Sequence, residues 1–296
     1  MTRHRHRFLL YCLTAIVPAV GMLAATAATA ATASAQTATA VTARPSAAAE
    51  AEALAKAAIE NLAVGQHPLN HQVGVTSPAG KPKGLTNVQS TNWSGYADTG
   101  SSFSKVSASW TEPSATCSSR SEQLAAFWVG IDGYSSNSVE QDGTLIECYQ
   151  RVAYQYTWWE MYPTNSIQVV GQTLAAGDAI TSTVTRSGTS YTLSVTDSTH
   201  TADSFTETET CSSCANTSAE WIAEAPSSSS SVYPLADFGS WTASNASVTE
   251  GSTSGVISSF TDDEITMIDS SGQTKALPGS LNSSGNSFPV TWERSS

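Results

Sequence analysis

From residue 106 to residue 225 the chain is written almost wholly in short runs of β-branched and aromatic residues. VSASW (106–110), LAAFWVGI (124–131), TLIECYQRVAYQYTWWEMY (144–162), SIQVV (166–170), AITSTVTR (179–186), SYTLSVTD (190–197), DSFTETET (203–210) and AEWIAEA (219–225) are punctuated by Ser, Gly, Asn, Asp or Pro. Side chains of this kind fit a pleated surface, and turn residues about every 8 to 12 positions leave no amphipathic helix. The spacing predicts an all-β domain, an antiparallel sandwich or barrel. Ser187-Gly188-Thr189 joins two alternating runs and reads as a hairpin turn, and the serines of 227–231 read as a loop.

The texture changes twice before this region. Arg3, Arg5 and Arg7 precede the apolar run Phe8 to Leu23, and Ala33-Ser34-Ala35 offers small residues for cleavage. That is the layout of a secretory signal peptide over 1–35, too short and wrongly flanked for a membrane anchor. Residues 36–86 are Ala-rich, with the helical patch AAAEAEALAKAAIENLA, and lack the aromatics needed for a core. They read as a propeptide. All eight Trp lie in 87–296, long enough for one sizeable β domain. The mature protein is expected to be secreted and monomeric.

Charge narrows the partners. The formal net charge is −12, and only Lys105, Arg120, Arg151, Arg186, Lys275 and Arg294 oppose 22 of the 25 Asp and Glu beyond residue 86. Nucleic acid and anionic membrane are poor partners for such a domain. Dense carboxylates lose their repulsion in acid, so an acidic working environment suits it. Cys117, Cys148, Cys211 and Cys214 follow the leader, and four cysteines in an exported domain allow three pairings. The favoured set is Cys117–Cys148 with Cys211–Cys214, the C-S-S-C run acting as a loop staple.

Elimination narrows the chemistry. Beyond residue 86 the one histidine is His200, in the polar turn DSTHTAD. A hydrolytic zinc site usually draws on several histidines, so no metal and no cofactor are expected. No G-x-S-x-G elbow accompanies His200, and no phosphate or dinucleotide fingerprint occurs. Asp98-Thr99-Gly100-Ser101 looks like the aspartate triplet of pepsin-like proteases. Those sites need two aspartates sharing a proton, and no second triplet exists. Asp98 to Ser102 therefore reads as turn chemistry between strands.

Three further segments carry a resemblance. They are FWVGIDG (127–133) with VEQDGT (139–144), WWEMYP (158–163), and AEWIAEAP (219–226) with YPLADFG (233–239), preceded by NWSGY (92–96). In this order they resemble the glutamic peptidases, or eqolisins, over about Thr91 to Trp292. The resemblance implies an antiparallel β-sandwich of two curved, lectin-like sheets, and acid endopeptidase activity on proteins and peptides. It also implies a catalytic pair, Gln141 and Glu224. In a strand Glu220, Ile222 and Glu224 share one face, so alternation alone leaves Glu220 and Glu224 open. The second glutamate of the family segment is Glu224. Trp128, Glu160, Tyr162 and Trp93 match groove positions, and Asp132 reads as a brace for the I-D-G turn. Glu140 and Asp142, beside Gln141, are more charged than is usual in fungal members. The family's removable propeptide corresponds to 36–86, which would then be an inhibitor.

Two readings from other classes compete. A secreted glycosidase would use paired carboxylates and have no need of Gln141. A non-catalytic module would bind glycan or protein with its aromatics. Asn92, Asn216, Asn245 and Asn282 each head an N-x-[ST] sequon.

Overall fold

A computed structural model describes residues 86–171, 173–228 and 231–296. The expected signal peptide and propeptide lie outside the described residues, except that Thr86 begins the first strand. The strands are β1 (Thr86–Ser90), β2 (Trp93–Thr99), β3 (Phe103–Thr111), β4 (Gln123–Ile131), β5 (Val139–Tyr149), β6 (Val152–Tyr162), β7 (Asn165–Val169) and β8 (Ala179–Ser187). They continue as β9 (Ser190–Asp197), β10 (Phe205–Thr210), β11 (Ser218–Glu224), β12 (Ser240–Glu250), β13 (Thr253–Gly255), β14 (Thr261–Ile268), β15 (Thr274–Pro278) and β16 (Phe288–Trp292).

Two sheets pack face to face. One runs β14-β2-β11-β4-β5-β6-β7 and the other β10-β9-β8-β3-β12. They are joined because β12 serves both: Ser240–Ala243 pair with β16, and the rest of the strand pairs with β3 after a register shift. Among the described residues, every pairing between named strands is antiparallel except β1 on β14. This is the all-β sandwich that the strand spacing predicts.

The central strand shows why these residues fold this way. Every residue of β4, QLAAFWVGI, is buried. Ala125, Phe127, Val129 and Ile131 join Trp221, Val184 and Leu193 in the core between the sheets. Leu124, Ala126 and Trp128 face the other way and pack with Trp93, Trp158 and Ile222. Alternation thus feeds two apolar clusters from one strand. Each large side chain so buried contributes about 1.5–3 kcal/mol.

The long run 144–162 proves to be the hairpin β5–β6. Gln150 and Arg151 turn it with φ of 52° and 70°. Neither is a usual turn residue, so the run gave no break to read. The turn around Gly188 joins β8 to β9 as expected, with φ of 63° at the glycine. Both expected disulfides are present: Cys117–Cys148 ties the segment after β3 to β5, and Cys211–Cys214 closes the bend after β10.

Candidate active site

The face of the large sheet turned away from the second sheet collects the polar residues of the motifs. Successive residues point to opposite faces, so Trp93 of β2, Trp128 of β4, Gln141 of β5, Glu160 and Tyr162 of β6, and Glu220 and Glu224 of β11 share it. Register orders them in rows. Gln141 stands opposite Glu160 on one side and Gly130 on the other, with Glu220 beyond Gly130. Glu224 stands opposite Trp93 and Ala126. Trp128 lies between these rows, opposite Ile222 and Gly143.

Glycine makes room for that indole. A Cβ on Gly143 would strike the Phe127 carbonyl and Trp128, and one on Gly130 would sit 2.9 Å from the Trp128 ring. The ring packs edge-on against Trp93 with centroids 4.9 Å apart. So held, Trp128 Nε1 donates to Glu224 Oε2 at 2.9 Å. Asn92 Nδ2 donates to the other oxygen, Oε1, at 3.3 Å. Glu224 is completely buried, yet each carboxylate oxygen receives an N–H.

Gln141 is held differently. Its Nε2 donates to Glu160 Oε2 at 2.7 Å. Burial, followed by the negative charge of Glu224, holds the Glu160 carboxyl well above the ordinary carboxylate range, against the lowering effect of the Gln141 bond. The field of Glu224 therefore reaches the group that anchors Gln141. Glu220 keeps other company. Burial is the main cause of its raised pKa, Asp132 and Glu140 add to it, and the Ser218 hydroxyl offsets it in part.

The remaining expected residues fall into place around this face. Tyr162 ends β6 at its margin, half-buried. Asp132, at φ 69°, accepts the backbone N–H groups of Asn216 (2.7 Å) and Thr217 (2.9 Å), so it braces the entry to β11 as well as its own turn. Glu140 and Asp142, on either side of Gln141 in β5, point to the opposite face. Asp142 accepts a hydrogen bond from the Ser182 hydroxyl across the sandwich. His200 is exposed in a turn, as expected, with Nδ1 2.8 Å from Asp178.

Asp98 differs from expectation. The turn is confined to Gly100–Ser102, and Asp98 lies inside β2, opposite Ala219 and Asp262. Strand pairing on both sides overrides the local turn preference. Its side chain shares the inter-sheet face with Tyr96, fully buried, and neither carboxyl oxygen has a hydrogen-bond partner. Burial first, then Asp262, Glu250 and Asp263, push its pKa up to about 9.

Asn92 is not singled out by the sequence, where it enters only as the first residue of NWSGY and of a glycosylation sequon. Two groups of metal-ligand type occur among the described residues. Cys211 and Cys214, near Glu140, are already bonded to each other; the second group is Asp178, Asp197 and His200 in the opposite sheet.

The chain is a glutamic-type endopeptidase, a hydrolase of peptide bonds, and family membership shows it. The sequence profile described as the Peptidase A4 family matches residues 91–292, and the chain belongs to that family, the eqolisins. Aspergillopepsin-2 of Aspergillus niger is 32% identical over 198 residues, spanning 58% of this chain and 69% of that protein. Scytalidopepsin B of Scytalidium lignicola is 35% identical over 138 residues, 45% of this chain and 51% of the relative. Among solved structures, scytalido-glutamic peptidase with a peptide-based transition-state analogue superposes with a TM-score of 0.58 at 26% identity, covering 69% of this chain and 98% of that one. Aspergilloglutamic peptidase from Aspergillus niger superposes at 0.50 with 31% identity, covering 58% and 99%.

Proposed function

We propose that the protein is a secreted acid endopeptidase in which Glu224 is the general base and acid and Gln141 stabilises the oxyanion. Glu224 takes a proton from a water, and the resulting hydroxide attacks the scissile carbonyl carbon. As the C–N bond breaks, Glu224 returns the proton to the leaving amine. A glutamine NH₂ carries two hydrogens. Glu160 accepts from that amide; in the proposed mechanism the amide also donates to the oxyanion and the Gln141 carbonyl orients the water. Trp93, Trp128, Glu160 and Tyr162 wall the peptide groove.

The carrying observation is that Glu224, bonded by Trp128 and Asn92, and Gln141, bonded by Glu160, share one sheet face. Glu220 shares that face too. The choice of Glu224 rests on its two N–H donors and its reach to Glu160, supported by the position of the second glutamate in the family segment. A leader at 1–35 and two disulfides support export, and 36–86 is proposed as an inhibitory propeptide removed in acid. The full chain, acid-treated, is incubated with denatured casein at about pH 3 to 4, near the ordinary glutamate pKa. Glu224→Gln and Gln141→Ala are expected to lose cleavage, while Asp98→Asn cuts normally and pepstatin has little effect. Casein cleavage by Glu224→Gln would sink the assignment. Synthetic 36–86 peptide should inhibit; no inhibition at neutral or acid pH removes the propeptide role.

A further inference from the structure

Asn92 is more than a second donor to Glu224, because the chain fixes which end of its amide faces the carboxylate. Ser90 and Asn92 are both fully buried where β1 gives way to β2. A serine hydroxyl has one proton to give and two lone pairs to fill. The Ser90 Oγ lone pairs accept the backbone N–H groups of Asn92 (3.3 Å) and Trp93 (3.1 Å). Its proton is thereby directed to Asn92 Oδ1, 3.1 Å away. The amide end facing Ser90 must then be the oxygen, and the end facing Glu224 must be the NH₂. The backbone adds a clamp, since Ala225 N–H donates to the Asn92 carbonyl at 2.8 Å, one residue beyond Glu224.

We infer that Asn92, oriented by Ser90, is a positioning residue that holds Glu224 in its productive rotamer opposite Trp128. This rests on the assignment of Glu224 as the base. Trp128 fixes one oxygen, and a donor on the second oxygen opposes rotation of the carboxylate about that bond. The same commitment closes the Asn92-Trp93-Ser94 sequon, because in the folded chain Asn92 is buried with its Nδ2 bonded to Glu224.

The test is a kinetic cycle on the full chain after acid treatment, with thermal melts of every variant. Losing a hydrogen bond to a charged partner should cost Asn92→Ala about ten- to a hundredfold in kcat, with KM changed by less than about threefold. Ser90→Ala should cost less, because the amide is released to flip but not removed. The double variant should be no slower than Asn92→Ala alone, since the two act in series. Asn92→Asp keeps the shape and sets a second carboxyl against Glu224. Like charges disfavour ionisation, so the acidic limb of its kcat profile should move to higher pH. That isosteric variant decides the matter even if Asn92→Ala fails to fold. Normal kcat in Asn92→Ala, additive losses in the double variant, or an unmoved pH profile in Asn92→Asp would each overturn the inference. If Glu224→Gln is inactive while Asn92→Ala is normal, only this inference falls. If Glu224→Gln is active, the assignment of the base falls first.

Discussion

The two faces of the large sheet use the same residue types to opposite ends. On the outer face Glu224 has an N–H on each oxygen, and Gln141 is moored to Glu160. On the inner face Asp98 has no hydrogen-bond partner, and burial holds Asp142 and Glu140 well above the carboxylate range. Both faces are dry. What separates Glu224 from Asp98 is the supply of donors. A desolvated carboxyl with an N–H on each oxygen is held in place, whereas one with no donor is best kept protonated. The acidity of this chain is therefore not only a surface property, as its composition implies, but is built into the core.

The comparison breaks most severely at Glu224. Glu224→Gln keeps the shape and removes the proposed base, so casein cleavage at acid pH should fall about a thousandfold or more. Gln141→Ala removes the proposed oxyanion donor and should lower kcat about a hundred- to a thousandfold, read by the same assay. Trp128→Phe keeps the packing against Trp93 but deletes the 2.9 Å bond to Glu224. A loss of about ten- to a hundredfold in kcat is expected.

The inner face should respond in stability instead. The folded pKa of Asp98 is raised to about 9. Below the unfolded value, about 4, both states hold the proton and nothing is lost. As pH rises further, only the unfolded chain ionises, so stability falls until the folded pKa is reached. Such a group adds a slope of about 1.4 kcal/mol per pH unit over that window. Urea unfolding of the full chain should show the protein most stable in acid. Asp98→Asn should flatten the decline without changing peptidase activity; an unchanged slope would mean the carboxyl is not held protonated.

Part of this was legible because it is local. The runs LAAFWVGI and SYTLSVTD carry their strand signal in their own side chains, and β4 and β9 lie where they are written. The motif around Gln141 and the second glutamate of AEWIAE named the candidate pair before any contact was known. Other parts were not local. Strands β12 to β16 come from a Ser- and Thr-rich stretch whose weak pattern becomes sheet only against β3, β2 and one another. The run 144–162 hid a hairpin because Gln150 and Arg151 carry no turn signature.

The amino-acid sequence by itself determined an all-β domain, since alternation is a property of short segments; it favoured one of three cysteine pairings, and its resemblance to the glutamic peptidases singled out Gln141 and Glu224. Tertiary structure alone decided which carboxyls have partners. Asp98 left its expected turn because β11 and β14 pair on either side of it, and Asn92 became a support for Glu224 although 132 residues separate them. Strand register sets those meetings, and register is a contest among distant segments for burial that no single segment records.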